Sequence, residues 1–125
     1  MTPLLASALV AGGGAVGALG RFWVAVLLAA VAGTHLSFAT LVVNVVGSFT
    51  IGLAAVLIGT SMPMKAFFIT GILGGFTTFS TFSLETVELM SGGRIGAGLA
   101  NVALSVTGCL VAASLGLAVG SRITA

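Results

Sequence analysis

The sequence predicts an all-α membrane protein with four transmembrane helices, the third broken near the midplane. Three observations carry that prediction. Hydrophobic residues make up 58% of the 125 positions and charged residues only 5%, against about 25% charged in an average soluble domain. The charges are Arg21, Lys65, Glu85, Glu88, Arg94 and Arg122, so residues 1–20, 22–64, 66–84 and 95–121 carry none. Turn-forming clusters separate the apolar runs, at Gly33-Thr34-His35, at Gly59-Thr60-Ser61-Met62-Pro63 and at Ser91-Gly92-Gly93. A soluble fold this small must keep much of its surface in water, and so few charges cannot cover it.

A helix needs about 20 predominantly apolar residues to cross the hydrocarbon core. The first span covers about 3–32 and carries Arg21 roughly two-thirds of the way along. The second covers about 37–59, with Asn44 a third of the way in. The third covers about 65–90 and the fourth about 94–121. Residues 1–125 are thus a single four-helix transmembrane domain with no soluble domain left over. A cleaved signal peptide is a poor description of the first segment. It lacks a positively charged n-region, and its apolar character runs past a normal h-region. Barrel strands would alternate apolar and polar residues, and these runs do not.

Charge excludes several functions. The basic residues are scattered singly, so no patch can track a phosphate backbone. The single Cys109 excludes an internal disulfide and a multi-cysteine metal site. Orientation is balanced. With four spans, Lys65 and Arg122 share the N-terminal side, while Arg94 lies opposite, joined by Arg21 if it reaches that end. The positive-inside rule needs an imbalance. Without one the chain can insert both ways, as an antiparallel dimer of identical chains requires, or a weak bias such as the N-terminal amine can still select one orientation.

The glycine pairs Gly13/Gly17, Gly71/Gly75 and Gly116/Gly120 are spaced four apart, which lets helix backbones approach in lipid. This is a packing pattern with little functional content. Four short helices make a thin bundle, so oligomerisation is expected, with two-fold symmetry the commonest outcome.

The third span holds the chemistry. It reads Gly74-Gly75-Phe76-Thr77-Thr78-Phe79-Ser80-Thr81-Phe82-Ser83-Leu84-Glu85. Adjacent glycines and β-branched threonines are poor helix formers. A break there frees backbone carbonyls at membrane depth, which survive only where protein or a cavity covers them. Unwound carbonyls in discontinuous helices can coordinate Na⁺. The plainer alternative is an intact helix whose hydroxyls bond back one turn. Phe79 and Phe82 are three apart, so their rings are neighbours, and the positive ring edges can face a small anion. Two such rings are also ordinary packing. Thr81, Glu85 and Glu88 fall on one stripe that Thr77 extends, with Glu88 read as a solvated helix end. Arg21 either faces a cavity or reaches the interface with its long stem. Asn44 either bridges helices or offers its amide donors to an anion. On the fourth span Asn101 and Ser105 share a face with Gly108 one turn on. His35 and Cys109 read as structural.

No enzyme constellation is present. The one histidine lies in a predicted loop, the carboxylates sit together at a helix end, and Gly12-Gly13-Gly14 follows no strand.

The run from Gly74 to Ser83 with Glu85 resembles the signature of the Fluc (CrcB) fluoride channels. The likeness extends to Gly13-Gly14-Ala15-Val16-Gly17-Ala18-Leu19-Gly20-Arg21 and to Asn44-Val45-Val46-Gly47-Ser48-Phe49, and so covers essentially the whole chain. The resemblance implies an antiparallel, dual-topology homodimer with two pores that export fluoride passively across the bacterial inner membrane. It implies a central structural Na⁺ at the dimer interface, held by the backbone carbonyls of Gly74 and Thr77 from each chain. It implies a fluoride pathway through Asn44, Phe79, Phe82, Ser80, Thr81, Glu85 and Ser105, with Arg21 at the vestibule. Asn101 departs from the family pattern, which has a pore tyrosine in several members. Some members pair with a non-identical chain.

Passive export is physically sufficient. Fluoride enters cells as uncharged HF at low pH and is trapped as F⁻ in a more neutral cytosol. A negative interior then favours anion exit by about 2.3 kcal/mol per 100 mV. Two alternatives remain at this level: a small multidrug-type proton-coupled exporter, which would want a carboxylate at mid-span, and a structural membrane subunit without transport.

Overall fold

The computed structural model of the chain describes residues 1–32 and 36–125. It consists of α1 (Pro3–Ala32), α2 (Leu36–Leu57), α3 (Met62–Met64), a π-helical segment (Lys65–Leu73), α4 (Gly74–Phe76), α5 (Phe79–Ser91) and α6 (Ile95–Thr124). Four stretches are long and apolar enough to cross a membrane: Pro3–Val31, Phe38–Leu57, Met62–Ser91 and Ile95–Thr124. The chain is therefore a multi-pass integral membrane protein. The expected turn at Gly33-Thr34-His35, and with it the loop position of His35, lies outside the described residues.

The other two turns fall where the sequence places them. Gly59 (φ +57°) and Gly93 (φ +81°) adopt left-handed backbone that a side chain would strain. Pro63 sits in the first turn of α3, where no amide hydrogen is missed. The third span begins a few residues earlier than predicted, and its first full turns are π-helical, which the sequence pattern does not reveal.

That span is broken, as expected, but two residues beyond the glycine pair. Gly74 and Gly75 remain helical, Gly74 at φ −63° and ψ −37°. The break is at Thr77 (φ −79°, ψ 159°) and Thr78 (φ −152°, ψ 116°), both extended. The glycines serve packing instead. The limb from Met62 to Phe76 lies directly on α1. A Cβ on Gly75 would come within 2.6 Å of the Gly14 carbonyl oxygen, and one on Gly71 within 2.9 Å of Gly13 Cα. With no hydrophobic drive between helices in lipid, such backbone-to-backbone contact supplies the attraction. The same device joins α2 to α6, where a Cβ on Gly116 would sit 2.9 Å from the Leu53 nitrogen. The limb α5 packs on α6 and, more lightly, on α2.

Little of this small bundle is closed to its surroundings. Val43 is the one large side chain fully buried among the described residues, and Phe22, Trp23, Leu27 and Phe79 are all exposed.

Candidate ion pathway

The geometry of the site starts from a single side chain on α2. Asn44 accepts a hydrogen bond from the Thr78 amide at 2.8 Å through Oδ1 and donates one to the Thr78 carbonyl at 2.9 Å through Nδ2. It thus gives the Thr78 amide the partner that the extended conformation takes from it and bonds the Thr78 carbonyl as well. In an unbroken helix the Thr78 amide would serve the Gly74 carbonyl. Diverting it to Asn44 frees that oxygen at membrane depth. Of the two readings open from sequence, Asn44 acts as a bridge between spans, with one amide hydrogen beyond the one given to Thr78.

On the far side of the break, Thr78 caps α5. Its Oγ1 accepts from the Thr81 amide at 3.2 Å and donates to Thr81 Oγ1 at 3.0 Å. This is the ordinary helix N-cap chemistry of threonine, set in mid-membrane. Thr77 turns back instead, donating to the Leu73 carbonyl at 2.9 Å. It therefore does not extend the stripe of Thr81 and Glu85, because the break resets the helical phase between them. Thr78 takes that place, and sequence periodicity assigned it no role.

Two cavities flank this clamp. The first, of about 380 Å³, is lined by Asn44, Ser48, Thr77, Phe79, Phe82 and Ser105 among others. The second, of about 320 Å³, includes Arg21, Thr40, Val43, Thr81 and Glu85. Thr78 lines both. Along α2 the first takes residues 44–51 and the second residues 39–43, so they follow one another along the span with the break between.

In the first cavity Phe82 is buried while Phe79 is 77% exposed. Their ring centroids are 5.4 Å apart and the planes tilted by 50°. In the second, Glu85 is 9% exposed and accepts from Thr40 Oγ1 at 2.8 Å. Glu85 Oε2 and Arg21 Nε are buried without a hydrogen-bond partner among the described residues. Arg21 thus faces the cavity of the bundle, one of the two positions the sequence allowed.

The predicted pathway residues are therefore divided. Asn44, Phe79, Phe82 and Ser105 share the first cavity, and Thr81, Glu85 and Arg21 share the second. Ser80 is exposed and lines neither; its hydroxyl lies 3.3 Å from Thr78 Oγ1. Glu88 is exposed. Asn101 lies away from both, donating to Thr86 Oγ1 at 2.9 Å and bordering a third cavity with Arg94. Thr40 and Thr78 are the contributions sequence reasoning missed. The signal for Thr78 was present as a Thr-x-x-Thr capping spacing, and that for Thr40 as a hydroxyl one turn before Asn44. Among the described residues no three His, Cys, Asp or Glu side chains come together.

A four-span bundle broken at mid-membrane, with a few polar side chains set in mostly apolar cavities on either side of the break, is an architecture suited to a small membrane transport protein. Residues 8–117 match the family described as CrcB-like protein, Camphor Resistance (CrcB), and the chain belongs to that family. A relative from Ruminiclostridium cellulolyticum, named fluoride-specific ion channel FluC, is 45% identical over 108 residues, covering 83% of each chain. Proteins of the same name from Agrobacterium fabrum (42% identical, over 93% of this chain and 96% of the relative) and Aeromonas salmonicida (44%, over 91% and 95%) are similar along nearly their whole length.

Proposed function

We propose that the protein is a fluoride-selective ion channel, a passive transporter and not an enzyme, which exports F⁻ across the bacterial inner membrane and relieves its toxicity. The observation that carries this is the pair of cavities that share Thr78 as a wall, each mostly apolar with a few polar groups, set in a chain whose full-length relatives bear the fluoride-channel name. A dehydrating anion needs donors and positive ring edges in place of water. Asn44, Ser105 and the edges of Phe79 and Phe82 supply them in the first cavity. Thr81, Thr40 and Arg21 supply them in the second. Buried charged groups at this depth are satisfied by what enters the cavity they line, which supports an aqueous vestibule at Arg21 and Glu85.

The working unit in this proposal is an antiparallel homodimer. The first cavity is mostly apolar but includes Asn44, Ser48, Thr77 and Ser105 in its lining, with an exposed Phe79 at its side. Lipid is a poor cover for those polar groups at mid-span, and a second copy of the chain is a good one. A structural Na⁺ at the dimer interface fits the donor set, since Gly74 is exposed and its carbonyl is relieved of Thr78, and Thr77 is extended. Neutral carbonyl oxygens suit a hard monovalent cation. The ion, when bound, supplies a fixed positive charge that tightens the interface. A proton-coupled exporter is disfavoured because it wants a carboxylate at mid-span, and Glu85, the buried carboxylate, lies near the end of the Met62–Ser91 span.

Reconstituted alone into liposomes, the purified chain is expected to release trapped fluoride much faster than trapped chloride. Equal rates, or no flux, would remove the proposal.

A further inference from the structure

Asn44 is not alone on the face of α2 that meets the break. Gly47 lies three residues further along, on the same side of the helix, and is buried. A Cβ placed there would overlap Thr77 Cγ2, while Thr77 Cβ is 3.7 Å from that point and Phe76 Cδ1 3.4 Å. The methyl of Thr77 thus fills the space that a side chain at position 47 would need. Other closely approached glycines differ. Gly13, Gly17, Gly52, Gly75 and Gly116 meet the backbone of a neighbouring span, whereas the three atoms nearest Gly47 belong to side chains, the closest of them in the break itself. Nor is that methyl free to turn aside. Thr77 Oγ1 donates to the Leu73 carbonyl at 2.9 Å, which fixes the side-chain torsion of a residue type that has few alternatives. Its backbone is extended, at ψ 159°, so the Thr77 carbonyl no longer points along the helix axis. Moving the methyl therefore moves the peptide that carries the carbonyl.

We propose that Gly47 is a positioning residue for the break: the space it leaves seats the Thr77 methyl on α2 and so fixes the carbonyl that Thr77 offers to a cation. The inference rests on the cation site proposed above. Asn44 holds the far side of the break through the Thr78 amide, and Gly47 holds the near side through shape. Residues behind the ligands of a metal site set its affinity by fixing where those ligands stand.

The test compares Gly47→Ala, Thr77→Ser and the double variant, each in the full chain. Thr77→Ser keeps the hydroxyl and the carbonyl and deletes only the methyl. Two quantities are read besides fluoride efflux: the backbone carbon shifts of residues 77 and 78 in bilayers, and the melting temperature as Na⁺ replaces a large organic cation. Gly47→Ala should lose the extended-type shift at Thr77 and need more than about tenfold more Na⁺ for the same stabilisation. Thr77→Ser alone should keep the shifts. The double variant should regain them, with an Na⁺ requirement within about twofold of the unaltered chain, because the alanine then occupies the space of the deleted methyl. If Gly47→Ala does not fold, recovery of a folded chain on adding Thr77→Ser supports the same interlock. An unchanged Gly47→Ala, or damage that Thr77→Ser leaves in place, would overturn the inference. An unaltered chain that gains no stability from Na⁺ would remove the cation site, and Gly47 would then stand or fall on the carbon shifts alone.

Discussion

The two limbs of the third span are cut apart by two residues, yet they are held by different physics. The limb from Met62 to Phe76 is fixed by backbone contact with α1 through Gly13, Gly14, Gly71 and Gly75. Among the described residues, no side-chain hydrogen bond joins it to another span. The limb from Phe79 to Ser91 is fixed by hydrogen bonds instead, from Thr40 to Glu85 and from Asn101 to Thr86, with the Asn44–Thr78 clamp at its start. The first limb is an anchor, and the second presents groups to cavities. A broken helix in lipid needs both, because the anchor fixes where the break falls and the polar limb covers the backbone it exposes.

This contrast can be broken from either end. The largest effect should come from the anchor. Gly75→Val drives a side chain into the Gly14 backbone, a rigid neighbour that cannot yield, at a cost of about 3 kcal/mol or more. Loss of a monodisperse, folded species on size-exclusion chromatography is expected, and a normal elution profile would show that the contact is slack.

Next is the clamp. Asn44→Ala strands the Thr78 amide, at roughly 1–3 kcal/mol, and removes a second bond from the Thr78 carbonyl. Fluoride efflux should fall by an order of magnitude or so, with a lower melting temperature. Stability loss without flux loss would mean that the break survives on its own. Smaller again is Thr40→Val, which removes one donor from Glu85 at about 1 kcal/mol. Efflux should drop by a few-fold while the fold is kept. Smallest is Ser80→Ala. An exposed hydroxyl that lines neither cavity should change efflux by no more than about twofold. A large loss there would bring Ser80 back into the pathway that family resemblance implied for it.

Much of this was legible in the amino-acid order. The spans follow from the spacing of Arg21, Lys65, Glu85 and Arg94, because a charge-free run of sufficient length has one favourable environment. The fact of a break was readable in the adjacent glycines and threonines, but its place was not. Gly74 and Gly75 are poor helix formers in isolation, yet packing on α1 keeps them helical, and tertiary contact overrides propensity. The break moves to Thr77 and Thr78 because Asn44, more than thirty residues away in sequence, replaces the hydrogen bond that the Thr78 amide loses. No local pattern encodes that partnership. For the same reason the stripe of Thr77, Thr81 and Glu85 failed at its first member, since helical periodicity cannot be counted across an extended pair. The division of the pathway residues into two cavities also depends on which spans face one another, which one-dimensional spacing leaves open.

The central claim is that Thr77 and Thr78 are extended at mid-membrane and held there by Asn44. Solid-state NMR of the chain in lipid bilayers reads this directly from the backbone carbon shifts of the two threonines. Extended-type shifts at both, turning helical or heterogeneous in Asn44→Ala, are the expected result. Helical shifts at both positions in the unaltered protein would contradict it.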